Sequence, residues 1–62
     1  MKTYNIYVRP LDSEDKNAEP TLLFIKGRPT KVFAESVESA ADEARFKFGD
    51  VYEIVKCTEV NG

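Results

Sequence analysis

Cys57 is the only thiol in this 62-residue sequence, and there is no histidine. Nucleophilic catalysis needs an activated serine, cysteine or lysine with a base in reach, and a thiol in a β-rich stretch without an imidazole lacks a group to take its proton. A lone cysteine without histidine also gives no zinc ligand set and no intrachain disulfide. The carboxylate pairs Glu14/Asp15 and Asp42/Glu43 fall in a polar loop and on a helix face, without the pocket that splits two carboxyl pKa values into an acid and a base. The inventory points away from catalysis, metals and cofactors, and towards binding.

Three clusters are candidates for binding. Lys26, Arg28 and Lys31 surround Gly27 and Pro29 and make a compact basic turn, either a phosphate grip or a solvated loop. Asp12, Glu14, Asp15 and Glu19 form an acidic group that either steers a basic partner or stays in water. Tyr7 and Phe33, with Arg9, Lys31 and, depending on register, Lys56, fall on one parity of their strands and would share a sheet face. Such a face suits base stacking, a protein interface, or the second side of a thin domain.

The elements that place these residues follow from periodicity. Thr3 to Arg9 alternate, with Tyr4, Ile6 and Val8 on one side, as in a half-buried strand that ends at Pro10. The proline-bracketed polar stretch at about 10–20 reads as a loop. Thr21–Ile25 and Lys31–Glu35 are two strand-like runs separated by the Gly and Pro of a turn, giving a hairpin or one long bent strand. Ser36 is an N-cap, and Val37, Ala40, Ala41, Ala44 and Phe48 gather on one helix face with Gly49 as the stop. Alanines in that seam imply close approach to a sheet. Phe46 points the other way, so either the 10–20 loop or the chain ends fold over it or it anchors a partner. Val51 to Val60 is a last strand with apolar residues in both parity sets, which reads as mid-sheet. The expectation is one small α+β domain: a mainly antiparallel sheet of three to four strands with one helix on one face, in the order β-β-β-α-β.

Nine basic and eleven acidic residues leave a net charge of −2, too balanced to signal a nucleic-acid binder or a DNA mimic. The opening residues lack the apolar run of a secretory leader, and no stretch approaches the ~20 apolar residues of a membrane span, so a cytoplasmic protein is expected.

From Val32-Phe33-Ala34-Glu35-Ser36 through the alanine-rich acidic helix to Phe46-Lys47-Phe48, and on through Tyr52-Glu53-Ile54-Val55-Lys56-Cys57, the sequence resembles the small phage-encoded inhibitors of bacterial RNA polymerase from short-tailed coliphages. The resemblance covers roughly the last thirty residues. It implies a non-catalytic inhibitor acting in the host cytoplasm, with Glu35, Glu38 and Asp42 in an acidic strip and Phe46 and Phe48 as a late aromatic pair. The family's final strand carries two arginines that grip the polymerase, and Lys56 and Thr58 stand at those positions here. Phe46, Lys56, Glu35, Glu38 and Asp42 are therefore the expected contacts. The alternatives are an interaction or anti-defence module with another host target, and single-stranded nucleic-acid binding through Tyr7, Phe33, Lys26, Arg28 and Lys31.

Overall fold

The computed structural model describes residues 1–11 and 19–60. In chain order it contains β1 (Lys2–Pro10), β2 (Thr21–Leu22), β3 (Phe24–Ile25), β4 (Arg28–Pro29), β5 (Lys31–Ala34), α1 (Val37–Phe48) and β6 (Tyr52–Glu59). This is the expected α+β class, a small antiparallel sheet with one helix across one face. The loop expected at about 10–20 falls mostly at positions 12–18, outside the described residues, as do Asp12, Glu14 and Asp15.

β1 is the centre of the sheet because its nine residues are long enough to pair on both edges. On one edge it runs antiparallel to β6, from Tyr4 opposite Glu59 to Pro10 opposite Tyr52. The other edge is shared: β5 pairs from Lys2 opposite Ala34 to Asn5 opposite Lys31, and β2 pairs through Tyr7 opposite Leu22 and Val8 opposite Thr21. Leu23 N donates to Ile6 O at 2.9 Å, and Thr30 N donates to Leu23 O at 2.8 Å. Between those two residues β3 and β4 pair with each other, Phe24 opposite Pro29 and Ile25 opposite Arg28. The two strand-like runs therefore make one edge line that carries a small hairpin, combining the two arrangements that the sequence left open. The hairpin turns at Lys26 (φ 55) and Gly27 (φ 77), both left-handed as the tightest two-residue connection requires.

The mid-sheet placement of the last strand is corrected: among the described residues β6 pairs with β1 alone and forms the opposite edge. Its mixed parity has another cause. Tyr7 faces Lys56 but the next residue, Val8, faces Ile54, so Val55 is an extra residue in a β-bulge. The bulge exchanges the two faces, and Ile54 and Cys57 both reach the core although they are three residues apart.

The core forms between the sheet and α1, from Tyr4, Ile6, Val8, Leu23, Val32, Ala34, Ile54 and Cys57 against Ala40 and Ala44. Both alanines are fully buried, and Ala41 and Phe48 pack at the margin; the small side chains bring the helix close to the strands, as expected. Val37 departs from the expected seam and lies exposed at the first turn. Ser36 caps the helix from an extended backbone, its Oγ accepting from Ser39 N at 3.2 Å. Gly49 ends the helix without entering the left-handed region, at φ −64. Its N–H donates to Arg45 O at 2.9 Å, and a Cβ there would collide with that carbonyl oxygen. Among the described residues no helix is long and apolar enough to cross a membrane.

Candidate functional site

The sheet face away from α1 has no element packed on it among the described residues, and register decides which side chains it displays. Residues paired across an antiparallel ladder share a face. Thr3 stands beside Phe33, Asn5 beside both Lys31 and Thr58, Tyr7 beside both Leu22 and Lys56, and Arg9 beside Glu53. Tyr7, Arg9, Lys31, Phe33 and Lys56 are thus brought together as the sequence predicted, and the register admits Lys56. Asn5 belongs to the same surface by strand alternation, and so do Leu22 and Thr58, which the sequence did not assign to this face because their partners are set by the ladder rather than by local pattern.

Within this face, Lys56 Nζ sits 5.0 Å from the centroid of the Tyr7 ring, a cation–π contact that contributes about 0.5–1 kcal/mol when exposed. Lys31 Nζ donates to Asn5 Oδ1. Arg9 Nε lies 3.0 Å from Glu53 Oε2. Phe33 has 61% of its surface exposed. The cations sort into two sets. Lys2, Arg9, Arg45 and Lys47 each have a carboxylate partner, whereas Lys26, Arg28, Lys31 and Lys56 have none among the described residues. All four unpaired cations belong to the open face or to the hairpin beside it. Cations without carboxylate partners among the described residues, around half-buried Tyr7 and exposed Phe33, are complementary to an anionic macromolecular surface.

The expected contact set does not come together on one side. Glu38, Asp42 and Phe46 project from the outer face of α1, with the helix and sheet between them and Lys56, while Glu35 is exposed between the end of β5 and the Ser36 cap. Asp42 pairs with Arg45 at 3.3 Å. Phe46 is 90% exposed, an open ring on the outer helix face among the described residues; residues 12–18 of the loop expected to cover it lie outside the described residues.

Lys26 and Arg28 stand in the hairpin, together with Phe24 and Ile25, which are 54% and 43% exposed. Those two apolar residues were not singled out as surface features, because Thr21–Ile25 reads as one strand-like apolar run. The sequence Ile25-Lys26-Gly27-Arg28 carried a usable signal: two residues, the second a glycine, between β-prone neighbours mark a two-residue hairpin turn.

Cys57 is buried. Burial pushes its thiol above the ordinary range, with the Arg45 charge offsetting part of the rise, so the thiolate that a nucleophile or metal ligand requires is disfavoured. Among the described residues no group of three or more His, Cys, Asp or Glu side chains is placed to hold a metal ion. An open hollow lined by Leu11, Arg45, Asp50, Tyr52 and Glu53 lies beside the end of α1.

No protein-family model matches the sequence, and no curated protein or solved structure matches it significantly.

Proposed function

We propose that this domain is a non-catalytic inhibitor that docks on a host protein and blocks it by occupying a surface, with bacterial RNA polymerase as the target that the resemblance of the C-terminal half names. In this reading the protein is phage-encoded and acts in the host cytoplasm. The observation that carries it is the open sheet face, where Lys56 over Tyr7 shares a surface with Lys31, Phe33 and the Arg9–Glu53 pair, and where Lys31 and Lys56 have no carboxylate partner among the described residues. Lys56 and Thr58 occupy the positions that correspond to the family's paired arginines, and both stand on this face. Lysine lacks the two-pronged donor of arginine and threonine has no charge, so the surrounding cations and aromatics contribute the remaining affinity. The outer face of α1, with Glu38, Asp42 and Phe46, and with Glu35 just before its cap, is the alternative docking side in the same reading. It engages a partner that wraps the domain.

The test is binding of the tagged domain to purified bacterial RNA polymerase, together with a transcription assay. Saturable binding with inhibition, weakened at least tenfold by Lys56→Glu, supports the reading. Absence of both in the parent protein overturns it.

A second reading is favoured by the shared placement of Tyr7, Phe33, Lys31 and Lys56: a single-stranded nucleic acid laid across the sheet with bases on the rings and phosphates on the amines. Affinity for an oligonucleotide that falls steeply with salt separates it from protein docking.

A further inference from the structure

The sheet edge makes a detour that the fold does not require. Leu23 is already bonded to β1 and Thr30 is already bonded to Leu23, so the segment between them projects from a closed neck. Removing residues 24–30 would let Leu23, opposite Ile6, run directly into Lys31, opposite Asn5. The inward and outward alternation would continue through the join, with Leu23 in the core and Lys31 on the open face.

The segment presents what an interface anchor needs. Phe24 and Ile25 are both about half exposed and, as neighbours in one strand, project from opposite faces of the hairpin, Phe24 beside Pro29 and Ile25 beside Arg28, although apolar side chains gain from burial. Lys26 holds a left-handed conformation at φ 55, which Gly adopts freely and Asn or Asp more readily than other L-residues. The tip thus carries a lysine where Asn or Gly would fold more easily. Neither Lys26 nor Arg28 has a carboxylate partner among the described residues. The residues flanking the neck, Leu22 and Lys31, belong to the open face, so hairpin and face form one continuous surface.

We propose that the hairpin from Phe24 to Pro29 is a docking element that inserts into an apolar groove with an acidic rim on the protein partner. The assignment rests on the protein-docking reading above. Phe24 and Ile25 fill the groove, and Lys26 and Arg28 meet its carboxylates. A nucleic acid fits less well: the bases stack on rings, whereas Ile25 is aliphatic and gains from a protein groove.

The experiment measures binding of the labelled domain to purified bacterial RNA polymerase for the parent, for Phe24→Ser, for Lys26→Asn combined with Arg28→Gln, and for the variant lacking residues 24–30. Circular dichroism and thermal melts check folding of each. Phe24→Ser weakens binding roughly tenfold or more, as loss of a central aromatic anchor does. The charge variant weakens it several-fold while its melting temperature stays at or above that of the parent, because Asn relieves the turn. Parent binding that survives within twofold in all three variants overturns the hairpin assignment and leaves the inhibitor reading intact. A parent that does not bind polymerase overturns the inhibitor reading, and this assignment with it. Hairpin-dependent binding of a single-stranded oligonucleotide in place of polymerase overturns the protein-groove assignment in favour of nucleic acid.

Discussion

Ile54 and Cys57 lie three residues apart in one strand and face the same core, because Val55 is an extra residue opposite the step from Tyr7 to Val8. Deleting Val55 would leave Ile54 opposite Val8, Lys56 opposite Tyr7 and Cys57 opposite Ile6 in an uninterrupted ladder. Every remaining side chain keeps its face. We expect this deletion to cost about 1 kcal/mol or less, the contribution of a partly buried valine, and to lower the melting temperature of so small a domain by no more than about 8 °C. Deleting Thr58 instead exchanges the faces of the strand end, so urea unfolding should show a larger loss there.

The turn at Lys26 and Gly27 is governed by backbone sign alone, since a Cβ at Gly27 would meet nothing within 4 Å. Gly27→Ala should therefore destabilise through its φ of 77 by about 1 kcal/mol, with no steric contribution. Lys26→Asn should stabilise by roughly 0.5 kcal/mol, since Asn visits the left-handed region more readily. Chemical denaturation of both variants measures the pair, and opposite signs are the expected result.

Much of the fold was legible because local signals and packing agree. Ser36, the alanine seam and Gly49 bracket α1, and the alternation of Tyr4, Ile6 and Val8 marks the buried side of β1. What failed was non-local. The parity of β6 was read as two covered faces, whereas a single bulge redirects it, and a bulge is set by the partner strand rather than by the sequence of its own. Phe24 and Ile25 were read only as part of a strand-like run, because an apolar run does not reveal that its strand has left the sheet. The open face was recovered for Tyr7, Phe33 and Lys31, since strand alternation suffices there. Grouping Lys56 with Glu35, Glu38, Asp42 and Phe46 came from the resemblance, and the helix and sheet stand between Lys56 and the three helix residues.

Ala40 and Ala44 set the distance between helix and sheet, each with no exposed surface. Enlarging Ala44 to Leu forces the helix outward and should cost about 1–3 kcal/mol, as overpacked cores do. Ala41→Leu at the margin should cost less. Thermal melts that rank the two in the reverse order would contradict the close seam.

The Cys57 thiol, raised by burial against a smaller lowering from Arg45, makes stability depend on alkaline pH. Its folded pKa lies above the unfolded one, so its contribution is complete below the unfolded value of about 8.5. As pH rises through that value the unfolded chain releases the proton first, and stability declines until the folded thiol also ionises. Cys57→Val removes this slope. The difference in urea midpoint between parent and Cys57→Val should shift against the parent between neutral pH and pH about 10, and a constant difference would exclude the linkage.

Lys56 and Phe46 lie on opposite sides of the domain, and this separation makes the docking side measurable. A partner seated on the open sheet face loses affinity at least tenfold with Lys56→Glu, and more at low salt, where the charge acts at longer range. The same partner is indifferent to Phe46→Ser, which exchanges an exposed ring for a polar side chain and should leave the melting temperature unchanged. A partner seated on the outer face of α1 gives the reverse pattern, and one that wraps the domain is weakened by both. Because the two residues share no neighbours, the losses in a wrapped complex should add within about 0.5 kcal/mol in the double variant. Isothermal titration of the four proteins against polymerase reads all three patterns. The unpaired charge around Lys56, set against the Arg45 partner that Asp42 already has beside Phe46, favours the first.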